Sequence, residues 1–101
     1  MNKNNLKILV CCANGAGSSL MMKVTLEKVL SKVGIKPANL HHCALSEGKT
    51  ASKQFDIVFC AQIFAKMFKD AEEKGTKIVG LRNIMSAQEM EQKLKEIGLV
   101  G

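Results

Sequence analysis

Residues 6–12, Leu-Lys-Ile-Leu-Val-Cys-Cys, are apolar apart from one lysine and show no alternation. A run of small residues, Ala13-Asn14-Gly15-Ala16-Gly17-Ser18-Ser19, follows at once. An unalternating apolar run suits a central parallel strand covered on both faces. Beyond the small residues, Met22, Leu26, Val29, Leu30 and Val33 keep helical spacing. Strand, tight loop and long helix in that order point to a parallel sheet, because parallel strands need a crossover and a helix is the usual one.

The rest of the chain repeats the pattern. Ser18 or Ser19 is positioned to cap the first helix and Gly34 to end it, with Pro37 just beyond. A second strand is expected over residues 39–45 and a third over 55–60. The polar, small stretch 46–54 between them is expected to be a loop with at most one helical turn. Ile63, Phe64, Met67, Phe68 and Ala71 share a helical face, and Lys74-Gly75 closes that helix. A fourth strand is expected over 77–81. Ser86 followed by Glu89 matches a capping box before the apolar positions Met90, Leu94 and Ile97. The alternation predicts an α/β domain, one unit over residues 1–101, with a parallel sheet and helices on both faces. Ligands of such sheets bind at the carboxyl ends of the strands, near a topological switch point. The small-residue loop lies at such an end.

Several function classes drop out on composition. The chain has four Phe and neither Trp nor Tyr, so it lacks the aromatic platforms on which single-stranded nucleic acid stacks. Its net charge of +6 comes from scattered rather than clustered basic residues, and no nucleic-acid partner is expected. The four cysteines lack a disulfide-framework spacing, and neither a signal peptide nor a membrane-length apolar run is visible. A cytoplasmic protein with reduced thiols is expected.

The loop itself offers specific chemistry. Small residues let consecutive backbone N–H groups curl into an anion nest, and the following helix aims its positive end at the same point. A cysteine at the rim of such a nest has its thiolate stabilised, and a thiolate beside a phosphate cradle is equipped to attack phosphorus. A Walker A loop would need a lysine after Gly17 and has Ser18. A dinucleotide loop would need glycine at Leu20, and an acidic residue where the second strand ends in Cys43-Ala44-Leu45. A Cys-x5-Arg phosphatase loop counted from Cys12 finds Ser18 in place of arginine. Without a guanidinium to stabilise the transferring group, water should attack a phosphocysteine slowly. The loop is suited to relay rather than hydrolysis.

The run from Cys12 to Lys23 resembles the active-site loop of IIB components of the bacterial phosphoenolpyruvate-dependent sugar phosphotransferase system. It is most similar to the ascorbate type, whose loop reads close to Cys-Gly-Asn-Gly-x-Gly-Ser-Ser. The likeness extends to residues 42–47 and 79–86 and covers nearly the whole chain in order. It implies a three-layer α/β sandwich with strand order 2-1-3-4, similar to low-molecular-weight tyrosine phosphatases. It also implies that a histidine-phosphorylated IIA protein phosphorylates Cys12. Phospho-Cys12 then passes the group to a sugar-like substrate, ascorbate-like by this resemblance, in the membrane IIC transporter. The protein would thus dock peripherally to that transporter. Phosphate would be cradled by Ala13, Asn14, Gly15, Ala16, Gly17, Ser18 and Ser19. Ala13 departs from the family's usual glycine. Cys12, next to the nest, is expected to react, whereas strand alternation turns Cys11 into a sheet face. A phosphatase relative, a IIB for galactitol, mannitol or cellobiose, and a non-enzymatic module with a retained loop are the alternatives.

Cys11, Cys43 and Cys60 are expected to be small buried hydrophobes, and His41 and His42 straddle a strand so that at most one faces the core. The methionines at 21, 22, 67 and 90 are expected to be core or edge packing. Ser46, Glu47, Arg82 and Asn83 follow strands at the loop's end of the sheet and are candidates for partner or rim contacts. Neither a cofactor nor a metal is expected, since no Cys-x2-Cys pair is present.

Overall fold

The computed structural model describes residues 6–12 and 16–98, and of residues 16–19 the backbone only. Four strands, β1 (Lys7–Cys12), β2 (Asn39–Ala44), β3 (Ile57–Ala61) and β4 (Lys77–Leu81), pair in parallel in the order β2-β1-β3-β4. This is the expected order. β1 is paired along both edges: Ile8 stands opposite Leu40 on one side and Ile57 on the other. Ile8, Leu9, Val10 and Cys11 are all fully buried, which accounts for the run's lack of alternation.

Two cores sit on the two faces. Helix α1 (Ala16–Val33) and helix α4 (Ala87–Glu96) cover one. There Met22, Leu26, Val29, Leu30, Met90 and Leu94 pack on Ile8, Val10, Cys12, Ile57, Phe59, Val79 and Leu81. The other core joins Leu9, Cys11, Cys43, Leu45, Val58, Cys60 and Phe68. It lies under helix α2 (Leu45–Ala51), a 3-10 segment over Gln62–Phe68 and the short helix α3 (Lys69–Glu73).

The end of α1 follows from Gly34, whose φ of +80° suits glycine. The Gly34 N–H donates to the Ser31 carbonyl and the Ile35 N–H to the Leu30 carbonyl, while Ile35 and Leu30 are both buried. The start of α1 corrects the expected caps. The helix begins at Ala16, so Ser18 and Ser19 fall within its first turn and neither is the N-cap.

Two other expectations change. The stretch expected to be a loop after β2 is mostly helical, with α2 running into a 3-10 turn over Ser52–Gln54. Its buried positions are Leu45, Gly48 and Ser52, spaced by three and four as on any amphipathic helix. Two of them are small and carry no hydropathy signal. After β3, Ile63 is 79% exposed instead of joining the core face. Residues Gln62–Phe68 wind as a 3-10 helix with three residues per turn. Ala65, Phe68 and Ala71 therefore align inward, with Phe64 beside them, and Ile63 and Met67 turn out.

Helix α4 keeps half of the expected capping box. Ser86 Oγ accepts from the Glu89 N–H at 3.1 Å. The Glu89 carboxylate does not reach back to Ser86. It accepts from the N–H groups of Arg82 and Asn83 at 2.8 and 2.9 Å instead, satisfying the turn that leaves β4. These two bonds hold the Glu89 carboxyl below its ordinary value. A carboxyl depressed on folding stabilises above its unfolded pKa, and that stability is lost as pH falls through the folded value. Glu89→Ala should cost about 1 kcal/mol at pH 7. In urea melts across pH, the gap to wild type should be constant above about pH 5 and shrink below the ordinary value of 4.5. A gap independent of pH would contradict this role.

Candidate functional site

Cys12 ends β1, a strand flanked on both sides, at the carboxyl edge of the sheet. Only three residues separate it from the first residue of α1. The N-terminal end of an 18-residue helix, with its unpaired N–H groups and positive dipole end, thus lies next to the cysteine in the chain. The cradle residues Ala13, Asn14 and Gly15 lie outside the described residues. The backbone of Ala16, Gly17, Ser18 and Ser19 forms the first turn of α1. Strand alternation divides the paired cysteines as expected: Cys12 belongs to the α1/α4 core and Cys11 to the opposite one. Cys12 keeps 7% of its surface exposed while Cys11 has none.

The other three cysteines are poor nucleophiles. Burial, followed by the neighbouring Cys43, pushes the Cys11 thiol far up. Burial raises Cys60 to about 12. Burial also raises Cys43, aided by the Glu47 carboxylate and opposed by its contact with Cys11. Neutral thiols in a dry core do not attack phosphorus, since the thiolate is the nucleophile.

The same rim carries the remaining candidates. Arg82 and Asn83 are exposed after β4, and their backbone is fixed by Glu89. The Arg82 side chain borders one depression with Ala61, Gln62, Ile63 and Leu81, and a second with Gln62, Glu89, Gln92, Lys93 and Glu96. Ser46 and Glu47 are exposed on α2. Glu47 approaches His41 and Cys43, on the sheet face that excludes Cys12. His41 is exposed and stacks on Phe55. Met22 and Met90 are buried as expected, whereas Met21 and Met67 are exposed. Large exposed apolar side chains include Leu20, Met21 and Val24 early in α1, Ile63 after β3 and Met85 after β4. Leu20, Met21, Ile63 and Met85 each come within a few residues of the carboxyl-end exit of a strand, the end of the sheet at which β1 finishes in Cys12.

Two arrangements escaped sequence reasoning. The contact between Glu89 and the Arg82–Asn83 turn crosses six and seven residues, and the sequence signals only the capping box. The grouping of His41, Cys43 and Glu47 needs the fold. Its only sequence trace is a His-x-Cys pair on one face of a strand, with an acid four residues on.

Among the described residues no helix is long and apolar enough to cross a membrane. Residues 7–96 match the family described as PTS system, Lactose/Cellobiose specific IIB subunit. The chain is 28% identical over 97 residues to the ascorbate-specific PTS system EIIB component of Mycoplasma pneumoniae, covering 96% of this chain and 99% of that one. It is 31% identical over 93 residues to the protein of the same description from Salmonella choleraesuis, covering 91% and 88%. The lactose-specific IIB domain from Streptococcus pneumoniae superposes with a TM-score of 0.69 at 22% identity, covering 92% of this chain and 97% of that one; that likeness concerns the fold. With a family match along nearly its whole length and the fold to go with it, the chain belongs to the IIB family of phosphotransferase-system components and is a phosphotransferase.

Proposed function

We propose that this IIB protein carries a phosphoryl group on Cys12, and that a cytoplasmic IIA protein donates it. In the first step the Cys12 thiolate attacks the phosphorus of a phosphohistidine; the P–N bond breaks as the P–S bond forms. In the second, a substrate hydroxyl oxygen attacks the same phosphorus, its proton leaves, and the thiolate departs. The observation carrying this reading is the place of Cys12, at the end of a doubly paired strand with a long helix beginning after three intervening residues. Ser18 stands where a Cys-x5-Arg loop has its arginine, which favours storage of the group over hydrolysis. Exposed apolar side chains such as Leu20, Met21 and Met85, which follow strands at the end of the sheet where Cys12 lies, suit transient docking to IIA and then to a membrane IIC transporter. The net charge of +6 suits an acidic partner surface.

The substrate we infer is ascorbate-like. Relatives named ascorbate-specific align over more than nine-tenths of the chain, although the matching family is described by lactose and cellobiose. The test is a two-stage transfer. Incubation with radiolabelled phospho-IIA should load one phosphate per chain, stable for the duration of the assay without an acceptor. Membranes containing an ascorbate IIC transporter should then discharge it onto ascorbate, and membranes containing a cellobiose or lactose transporter should not. Discharge in the second case alone would overturn the substrate assignment. Failure to load, or turnover of an aryl phosphate, would overturn the relay.

A further inference from the structure

His41 and Cys43 lie two apart on β2 and so project from one face of the strand. The chain then passes directly into α2, which brings Glu47 over the same face. One imidazole nitrogen of His41, Cys43 Sγ and one carboxylate oxygen of Glu47 all lie within 4.8 Å of one another. Donor atoms about a tetrahedral zinc ion, with bonds of roughly 2.0–2.3 Å, stand roughly 3.3–3.8 Å apart. Closing this triad around an ion requires movements of about an ångström, and His41 and Glu47 are exposed and able to make them.

The side chains are placed for capture from water. Cys43 is buried at 5% exposure and fixes the floor. The His41 ring lies 6.4 Å from that of Phe55 at an interplanar angle of 17°. The exposed imidazole and carboxylate form the mouth. One nitrogen, one sulfur and one oxygen suit a borderline-soft cation and not magnesium or calcium, which take oxygen. Three protein ligands leave one tetrahedral position for water.

We propose that His41, Cys43 and Glu47 form a binding site for a zinc-class divalent cation, which fastens the end of β2 to α2. The site lies on the sheet face opposite Cys12, so a bound ion leaves the phosphoryl acceptor uncovered. An ion held by the folded chain alone also stabilises it by mass action.

Cobalt(II) is the probe. The reduced full-length chain, titrated with cobalt, should develop a thiolate-to-metal charge-transfer band and the intense visible absorption of a tetrahedral ion. Saturation should come at one ion per chain, and zinc should displace it. Cys43→Ser should abolish the charge-transfer band. His41→Ala and Glu47→Gln alter exposed residues that need not disturb folding, and each should weaken binding at least tenfold. Cys12→Ser should bind as wild type does. At a zinc concentration near the wild-type Kd, the Tm of wild type and Cys12→Ser should rise and that of Glu47→Gln should rise measurably less. The proposal is overturned if no charge-transfer band appears, if the band is lost in Cys12→Ser and kept in Cys43→Ser, or if His41→Ala and Glu47→Gln both bind as tightly as wild type.

Discussion

Cys12→Ser should accept no measurable phosphoryl group from phospho-IIA, a loss greater than about a thousandfold. Cys11→Ala should load within tenfold of wild type. The two residues are neighbours in sequence, but they point into different cores. The serine hydroxyl is a far weaker nucleophile than a thiolate at neutral pH. Cys11 has no exposed surface and a strongly raised pKa, so it offers neither access nor charge. Serine at a nearly buried site costs about 1 kcal/mol, which a thermal melt would register as a shift of a few degrees. A folded Cys12→Ser chain that still takes up label, or a Cys11→Ala chain that takes up none, would reassign the nucleophile.

Gly48→Ala should destabilise the fold by about 2–3 kcal/mol, although alanine favours a helix over glycine by about 1 kcal/mol. Gly48 is buried in α2 against the sheet. A Cβ there would overlap Cys11 Sγ and stand 3.3 Å from Cys43 Sγ. Both sulfurs are rooted in paired strands and meet at 3.7 Å, so neither can swing far. Adding Cys11→Ala removes the overlapping atom and should recover most of the loss. The double-mutant cycle would then show coupling of at least about 1 kcal/mol. The readout is the urea midpoint, or a Tm depressed by about 10 °C in the single mutant. Additive losses would mean that α2 retreats from the sheet instead of pressing on Cys11.

The features legible in the sequence were those whose pattern is set by burial in large side chains. β1 and β4 ended within a residue of expectation because both are bounded by sharp changes: a polar N-terminus and small-residue loop for one, Gly75 and Arg82 for the other. Gly34 was legible because its positive φ is a local requirement. Helix α2 was not, because its inward face is built from Gly48 and Ser52 as much as from Leu45. Close approach, not hydropathy, defines that face. Ile63 misled because a period of 3.6 was assumed where the chain winds at three. At the site, the choice between Cys11 and Cys12 was readable from strand alternation alone. The meeting of Cys11 with Cys43, and of Cys43 with Glu47, depends on the register of β1 against β2 and on how α2 turns back. A single sequence carries no local trace of either.

The central place of β1 also orders events in time. One edge of this strand is closed by β2, with Cys11 meeting Cys43 across a separation of 32 residues. The other is closed beyond Asp56, whose carboxylate accepts from the Lys7 N–H across 49. On a ribosome adding roughly 5–20 residues per second, the strand bearing the nucleophile is made before the two strands that flank it. It then waits several seconds with an unpaired apolar edge until β3 arrives. The cysteine that defines the protein's chemistry is therefore on a strand made before both of its neighbours, and its second edge closes only when β3 is made. A helper that shields nascent apolar edges would have its greatest effect on this segment.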